Sequence, residues 1–362
     1  MWEDEVRKSS EQVETRPTSR QTRITIKDVA EELGMSKSTV SRALNGYSDI
    51  AQSTQVRVAQ AAQRMGYKPM AQAQAIRTGL VRSMGLVFNV GGHGSHRPFL
   101  TNFIDGISQR ASQENWTLTV TTAQNSEGVL QTIERLSNER KVDGFILPRT
   151  RVKDPRVEYL IEHDIPFIMF GRTGDPTWCG WFDIEGELAM EQAVARLFEL
   201  GHRRIGFING LEVYMYAKLR LEGFERGMAK VGLEVTPSYV RRDAVTEAEG
   251  EREGEALLSL PEPPTAIVCA VDMAALGVYR AAKKRGLAIG RDVSIISYDG
   301  ISEGEFANPP LTSFSVDNRQ AGECLADLLI RRIRGASPET LRQLGVANLI
   351  VRASDGPPVH PS

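Results

Sequence analysis

The sequence contains little cysteine and no long apolar segment, and each shortage excludes a class of protein. Cys179, Cys269 and Cys324 are the only three cysteines among 362 residues, and they lie far apart. An odd, widely spaced set does not predict the disulfide framework of a secreted protein, so it favours a reducing compartment. No apolar run approaches the length of a membrane span, and residues 1–22 are polar, without the apolar core of an export signal. These absences predict a cytoplasmic protein with no membrane partner.

The net charge is also small, at −2, but it is unevenly distributed. Residues 20–82 contain ten Lys or Arg against four Asp or Glu, whereas residues 83–362 carry a net charge of −6. A basic module can follow the phosphates of a nucleic acid, while an acidic body is repelled by them. With 41% hydrophobic and 25% charged residues, the chain has the composition of a soluble protein of two or three domains. The charge pattern predicts a small nucleic-acid-binding module on a larger body; a chance fluctuation in charge is the alternative.

Residues 23–68 predict three short helices. The first follows the cap Thr25, and Gly34 ends it, since glycine tolerates the left-handed backbone of a helix C-terminus. Ser36 caps the second helix, and the third begins near Ser53. Two helices joined through a glycine turn, with polar donors at the start of the second, predict a helix-turn-helix. A solvated helical hairpin without DNA contacts is the alternative.

The second helix carries the expected DNA contacts. Because Val40 and Leu44 turn inward, Lys37 and Arg42 face outward, where they can donate to guanine edges or to phosphates. A helix of this kind enters the major groove with its N-terminus first. The residues expected to contact DNA in this module are Thr25, Lys37, Ser38, Thr39, Ser41, Arg42 and Asn45.

The segment that follows, YKPMAQAQAIRTG, predicts a short hinge helix. Pro69 suits the first turn of a helix, but the Ala-rich segment after it is too brief to be stable alone. A segment that orders only when it docks can couple DNA binding to the conformation of the body. A plain linker is the alternative.

From residue 84 onward, short apolar segments alternate with amphipathic helices. The expected strands lie at 85–90, 118–123, 144–148, 167–170, 204–209, 239–242, 266–270 and 293–299. This alternation is typical of parallel sheets covered by helices on both faces. Two such series predict two subdomains, with a ligand-binding cleft at the carboxyl ends of their strands.

Residues 23–82 resemble the DNA-binding headpiece of the lactose/galactose repressor (LacI/GalR) family of bacterial transcription regulators. The matching segments are TIKDVAEELGMSKSTVSRALNG, STQVRVAQAAQRMGYKP and AQAIRTG, and the resemblance extends over about nine-tenths of the chain. It implies an all-α helix-turn-helix headpiece and an α/β periplasmic-binding-protein-like effector domain of two doubly wound parallel-sheet subdomains. It also implies that Lys37, Ser38 and Arg42 read base edges. The hinge residues expected at the minor groove are Ala73, Ile76 and Arg77, with Ile76 in the place of the family's wedging leucine.

The resemblance also implies domain boundaries. The expected segments are a disordered tail at 1–22, the helix-turn-helix at 23–68, the hinge at 69–82, an effector-binding and dimerisation domain at 83–355, and a disordered tail at 356–362. The expected subdomains are 84–182 plus 318–345, and 183–311 plus 346–354. No terminal leucine heptad follows, so the sequence predicts a homodimer rather than a tetramer.

Polar residues near strand ends are the candidates for effector binding. Arg220, at the start of a helix, matches the arginine that the family uses for its effector, and Asp299 ends an expected strand. Arg172 follows another strand as a possible donor at the cleft rim. Asp272 begins a helix, where capping alone also explains it. Val271 departs from the family's common asparagine and removes one hydrogen-bonding group.

Aromatic residues near strand ends favour a carbohydrate effector, because flat sugar faces stack on aromatic rings. The candidates are Phe99, Phe170 and Trp181, and core packing explains any one of them equally well. The stretch DPRVEYLIEHDIPFIMFGRT is similar to regulators of α-glucoside use in the same family.

Two patterns that suggest catalysis or nucleotide binding are rejected. GISEG resembles a hydrolase nucleophile elbow, but FANPP rather than a helix is expected after it. GGHGSHR lacks the third glycine of a dinucleotide site and offers no third zinc ligand. The sequence predicts neither a catalytic residue, a metal nor a cofactor, and therefore no enzyme.

The sequence thus predicts a transcription regulator, favouring a repressor, that binds a palindromic operator in double-stranded DNA as a dimer under the control of a small-molecule effector, preferably a sugar. The alternative is a sugar-binding protein without regulatory DNA binding. Whether the effector releases DNA or strengthens its binding stays open.

Overall fold

The computed structural model describes residues 24–68, 75, 78–91, 100–175 and 177–359. The chain divides into two compact units, Met1–Gly79 and Leu80–Ser362, which are described separately. The expected hinge contacts Ala73, Ile76 and Arg77, the aromatic candidate Phe99 and the predicted tail 1–22 lie outside the described residues.

Within residues 24–68, the N-terminal unit forms three helices: α1 (Ile26–Leu33), α2 (Lys37–Leu44) and α3 (Gln52–Met65). The backbone N–H of Thr25 donates to the Asp28 carboxylate at 2.7 Å, which caps α1 as expected. Gly34 ends α1 in the left-handed conformation, with φ 62°. The side chain of Ser36 accepts the N–H of Thr39 at 3.1 Å and caps α2. The structure therefore confirms the expected helix order, the glycine turn and both caps.

A small apolar core holds the three helices together. Val29 of α1, Val40 of α2 and Val58 of α3 are fully buried in it. Burial of such residues stabilises each short helix that would be marginal alone. The third helix begins one residue before the expected Ser53, with Ala51 in the capping position.

The described part of the C-terminal unit contains twelve strands, which are β1 (Ser83–Asn89), β2 (Thr117–Ala123), β3 (Gly144–Leu147), β4 (Phe167–Phe170), β5 (Trp181–Ile184), β6 (Ile205–Ile208), β7 (Val240–Arg241), β8 (Ala266–Cys269), β9 (Ser294–Asp299), β10 (Thr312–Ser315), β11 (Arg342–Gly345) and β12 (Asn348–Ile350). Its helices are α4 (Leu100–Gln113), α5 (Ser126–Asn138), α6 (Pro155–Glu162), α7 (Gly186–Glu199), α8 (Met215–Lys230), α9 (Glu247–Leu258), α10 (Asp272–Lys284), α11 (Ser302–Glu305) and α12 (Asn318–Ile333). Short 3-10 turns lie at Pro237–Tyr239 and Pro338–Thr340.

The strands form two six-stranded sheets, each the centre of one lobe. Lobe one has the order β11-β5-β4-β3-β1-β2, with all neighbours parallel. Lobe two has the order β12-β10-β9-β8-β6-β7, and only β12 runs antiparallel to its neighbour, β10. The two doubly wound sheets are those expected from the sequence, whereas the antiparallel edge strand was not foreseen.

Helices cover both faces of each sheet. On β1, Leu86 packs against α4 and α12, while its neighbour Val87 packs against α5 and α6. Successive side chains of a strand point to opposite faces, so both faces must be apolar when both are covered. In lobe two, α7 and α8 pack on one face and α9 and α10 on the other.

The chain passes between the lobes at three places within its described part: from β5 to α7, from β10 to α12, and from β11 to β12. The subdomain boundary expected at residue 182 therefore falls inside β5. At the other end, the N–H of Gly356 donates to Ser294 at 3.0 Å, so the described chain continues beyond the expected limit at 355. None of the described helices has the length and the apolar character that a membrane span requires.

Candidate functional sites

The first turn of α2 presents polar side chains to solvent. Lys37 and Ser38 are both exposed, and the Ser38 hydroxyl lies 2.7 Å from that of Ser36. The unpaired N–H groups of the helix start add their own attraction for a phosphate. This face has the composition that contact with DNA requires.

Arg42, one turn further along α2, is oriented by the loop that follows the helix. Its guanidinium pairs with the Asp49 carboxylate and lies 5.5 Å from the centre of the Tyr47 ring. The loop itself is fixed to α3, because Gln55 donates to the carbonyls of Tyr47 and Ile50, at 3.0 Å each. Half of the Arg42 side chain (50%) remains exposed, so it can still reach a base edge.

The other side chains of this unit that are expected to contact DNA make hydrogen bonds at the ends of α1 and α2. The Thr39 hydroxyl lies 2.8 Å from that of Ser36, and the Asn45 amide donates to the Ser41 carbonyl at 2.7 Å. Thr25 is bound to Asp28 through both its N–H and its hydroxyl. Contact of these four residues with DNA stays a prediction.

In the C-terminal unit, a cleft of about 520 Å³ lies between the lobes, at the carboxyl ends of their strands. Its lining from lobe one includes Asn102, Pro148, Arg149, Thr150, Phe170, Arg172 and Asp183. Its lining from lobe two includes Glu187, Tyr216, Leu219, Arg220, Tyr298, Asp299, Ser302 and Glu305. Ser315, Val316 and Asn318 of one inter-lobe crossing complete this part of the lining. The volume and the position are those of a small-molecule site in an α/β fold.

Arg220 of α8 is held rigidly in the wall of this cleft. Only 9% of the residue is exposed, and its guanidinium donates to the carbonyl of Ala270. The guanidinium also stacks on Tyr298, 3.7 Å from the ring centre, and lies 4.0 Å from an Asp299 carboxylate oxygen. A Cβ on Gly186 would lie 3.2 Å from the Arg220 Nε, so the glycine leaves room for this side chain. Arg220 therefore lies where the sequence predicted, as a preorganised donor.

Asp299 ends β9 in an unusual backbone conformation, with φ 131°. Burial raises the pKa of its carboxyl to about 7, although the nearby Arg220 guanidinium opposes the shift. The side chain of Asp299 remains 37% exposed, and the residue lines the cleft. Near neutral pH, this carboxyl can therefore accept a ligand hydroxyl in its ionised form or donate in its protonated form.

Arg172 lines the cleft and is also bound to two carboxylates. It donates to Asp183 at 2.6 Å and to Glu187 at 2.7 Å, and its guanidinium lies 5.8 Å from the Trp181 ring centre. Burial raises the pKa of Asp183, and Arg172 opposes this rise. Because Glu187 belongs to α7, the ion pair joins the end of lobe one to lobe two.

The aromatic candidates divide between the cleft and the core. Phe170 lines the cleft and stacks on Phe103, with ring centres 5.3 Å apart. Trp181 packs against the buried side chains on the α5 and α6 face of lobe one, beside Arg172, and the cleft lining does not include it.

Asp272 occupies a different place from the one expected of a ligand contact. It is fully buried, accepts the N–H of Ile301 at 2.9 Å, and accepts the Ser313 hydroxyl at 2.7 Å. It neither lines the cleft nor caps α10, whose capping residue is Val271. In this structure, Asp272 positions the loop after β9, which carries cleft residues.

Most of the cleft lining was not among the sequence candidates, including Arg149, Tyr216 and Tyr298. Arg149 and Tyr298 lie at the ends of strands, so the rule that singled out Asp299 could have found them. Tyr216 follows no such rule, because it lies in the first turn of α8.

The rejected GISEG pattern needs one correction. A helix does follow the strand, since Ser302–Glu305 forms one turn, α11. Ser302 donates to Glu303 at 3.1 Å. Of the histidines within the described ranges, His163 bonds to Tyr159, while His202 bonds to Thr265, Ser294 and Gly356. These contacts bring neither histidine to Ser302 as a base.

The known proteins to which this chain is similar include transcription regulators. Residues 25–70 match the family of bacterial regulatory proteins called the lacI family, and residues 194–354 match the periplasmic binding protein-like domain family. The HTH-type transcriptional regulator AglR of Rhizobium meliloti (strain 1021) is 35% identical over 338 residues, which cover 92% of this chain and 95% of AglR. The HTH-type transcriptional repressor CytR of Escherichia coli (strain K12) is 30% identical over 336 residues, covering 92% of this chain and 97% of CytR. Among solved structures, the transcriptional regulator CelR–cellobiose complex is 26% identical, with a TM-score of 0.71, and the match covers 92% of this chain and 100% of that one.

Proposed function

Because this chain belongs to the lacI family of bacterial regulatory proteins, we propose that it represses transcription by binding a palindromic operator as a dimer, and that a sugar in the inter-lobe cleft controls this binding. The family membership confirms the resemblance found in the sequence, the fold class and the role as a transcription regulator. A cytoplasmic location and the absence of catalysis belong to the same proposal.

The observation that carries this proposal is the presence in one chain of two sites of different chemistry. The polar face of α2 offers Lys37, Ser38 and Arg42 to DNA, and the cleft offers Arg220 and Asp299 to a small polar molecule. A helix-turn-helix reads only a few base pairs, so two copies on a two-fold operator give useful specificity. A chain that only bound sugar would have no use for the α2 face.

A sugar fits the cleft because the lining combines donors, acceptors and aromatic rings. Arg220 can bridge two hydroxyls, Asp299 can accept from one, and Phe170 offers a ring for an apolar sugar face. The CelR structure was solved as a complex with cellobiose, which supports the same ligand class for the matching cleft. An α-glucoside is the preferred member of that class.

The proposal also assigns a role to the remaining candidate residues. Ala73, Ile76 and Arg77 would contact the minor groove when the hinge segment 69–82 docks on DNA, and Phe99 would join the cleft. Arg172 would act by holding the cleft wall through Asp183 and Glu187. Asp272 would act by holding the loop after β9, and Trp181 would act through Arg172.

The test selects DNA sequences from a random pool with the full-length chain, and then titrates the selected duplex with maltose, sucrose, trehalose and cellobiose at fixed salt. Salt is fixed because phosphate contacts make affinity depend steeply on ionic strength. We expect a palindromic sequence and a change in its affinity with at least one sugar. The variant R220A should select the same DNA and lose the sugar response. Selection of no specific DNA would refute the regulator and leave a sugar-binding protein as the alternative.

A further inference from the structure

Arg149 has a backbone conformation that an arginine rarely adopts. It follows β3 directly after Pro148, with a φ of 52° in the left-handed region. Glycine is the ordinary residue at such a position, because a Cβ makes the conformation unfavourable. Residues held in this way persist only where the surrounding structure imposes the conformation, and they cluster at functional sites.

A buried ion pair holds this turn from within lobe one. Asp154, which is 3% exposed, accepts from Arg156 at 2.9 Å and 2.6 Å. The same Arg156 guanidinium donates to the carbonyl of Pro148 at 3.0 Å and to that of Arg149 at 3.1 Å. One buried carboxylate therefore fixes both carbonyls around the strained residue.

The residues just after Arg149 are also held by lobe two. The N–H of Met215 donates to the Thr150 carbonyl at 3.0 Å, and the N–H of Val152 donates to the Val213 carbonyl at 3.2 Å. Arg149 is thus fixed between the two lobes, at the rim of the cleft. The distance from a side chain at this position to lobe two depends on the separation of the lobes.

The hydrogen bonds that hold the turn are made by its backbone, and the Arg149 guanidinium takes no part in them. Arg149 lines the cleft, and its guanidinium lies 5.9 Å from the centre of the ring of Tyr214, with which it also lines a second, smaller pocket. Among the described residues it has no hydrogen-bond or ion-pair acceptor, whereas Arg156 and Arg172 are each bound to carboxylates. Its charge reaches the opposite wall, since it lowers the raised pKa of Asp299.

We propose that Arg149 is a further effector-recognition residue, which donates from lobe one to the hydroxyls of the sugar that Arg220 and Asp299 bind from lobe two. This inference rests on the proposed function, since it requires that a sugar fills the cleft. A guanidinium presents its donors as a planar fork, so it can donate to two neighbouring hydroxyls at once. The strained turn fixes that fork in place before the ligand arrives.

The test compares four full-length proteins: wild type, R149G, R149K and R140G. R140G is the matched control for R149G. Arg140 is exposed and also has a left-handed backbone, with φ 47°, but it does not line the cleft. Glycine relieves the backbone strain and removes the guanidinium, whereas lysine keeps the strain and the charge but removes the fork. The measurements are the Tm without ligand and the affinity for maltose, sucrose, trehalose and cellobiose by titration calorimetry.

We expect R149G and R149K to bind the sugar recognised by wild type about tenfold more weakly or worse, because each loses charge-assisted hydrogen bonds. R149G and R140G should keep a Tm at or above that of wild type, and R140G should keep the wild-type affinity. Wild-type affinity in both Arg149 variants would overturn the assignment of Arg149 alone. Failure of wild type to bind any of these sugars would overturn the sugar effector itself, and the inference would fall with it.

Discussion

Replacing Arg42 by alanine should reduce operator recognition without weakening the fold. Among the residues that the structure describes, the Arg42 guanidinium forms an ion pair with Asp49, and both side chains are about half exposed, at 50% and 48%. Exposed ion pairs of this kind contribute about 0–1 kcal/mol to stability. The buried residues of α2 are Val40 and Ala43, and the substitution leaves them in place. The free energy of unfolding should therefore change by less than about 1 kcal/mol.

The loss at the operator should be larger, because a guanidinium that reads a guanine makes two directed hydrogen bonds. Removal of such a contact costs about 1–3 kcal/mol, which is about 5- to 150-fold in affinity. The Asp49 carboxylate and the Tyr47 ring already orient the side chain, so little conformational entropy is lost on binding. This preorganisation places the expected effect toward the upper part of that range.

The assay is a binding titration of the selected operator and of its single-base variants, at fixed salt. R42A should bind the operator more weakly and should lose preference at one base pair of each half-site. R64A is the matched control, since Arg64 is an exposed arginine in the last turn of α3, away from the α2 face. It should leave the base preference unchanged. Unchanged affinity and preference in R42A would refute the assignment of α2 as the recognition helix.

Two further predictions concern the C-terminal unit. Since burial raises the pKa of Asp299 to about 7, sugar affinity should increase as pH rises through 7, where the carboxylate forms, by up to about tenfold per pH unit below that value. Because the pKa of this carboxyl is higher in the folded state than its ordinary value, protonation of Asp299 stabilises the fold. This contribution to stability is fully present below the ordinary pKa of about 3.8 and is lost as pH rises through 7. D299N should remove both dependences, as titration calorimetry and melting curves between pH 5 and pH 8.5 would show. Gly322→Ala should lower the Tm by several degrees, because the new Cβ would lie 2.4 Å from the Phe103 carbonyl on α4, an overpacking that costs about 1–3 kcal/mol. Gly304→Ala, where the nearest atom is 3.4 Å away, should change the Tm far less, and equal shifts in the two variants would contradict this account.

The three helices within residues 24–68 could be predicted almost completely because the information that specifies them is local. Each of its caps lies within a few residues of the group that it binds, as Ser36 does with Thr39. The apolar spacing of α1 and α2 then leaves only one face for the core. What could not be predicted is the pairing of Arg42 with Asp49, because it depends on the path of the loop between α2 and α3.

The residues of the cleft could be predicted only in part, by the rule that ligands bind at the carboxyl ends of the strands of a parallel sheet. The rule correctly placed Asp299 in the cleft, whereas Arg220, within α8, was placed there by its position after β6 and by the family resemblance. The rule said nothing about depth, so Asp272 was a candidate for ligand contact as well as for capping, although it is fully buried. The strands β5, β10 and β11 were not among those expected. They are short, and they lie near the crossings between the lobes, where the alternation of strands and helices is interrupted.

The position of the candidate residues on both lobes determines how a ligand can act. A ligand shifts a conformational equilibrium only by the difference between its affinities for the two states. Arg149 belongs to lobe one, whereas Arg220 and Asp299 belong to lobe two, so a sugar that contacts all three favours one separation of the lobes. In R149G, the sugar would keep its contacts with lobe two and with Phe170 of lobe one, but it would distinguish less between separations. At saturating sugar, this variant should therefore show a smaller change in operator affinity than wild type. A full response at saturation would mean that contacts other than that of Arg149 carry the signal.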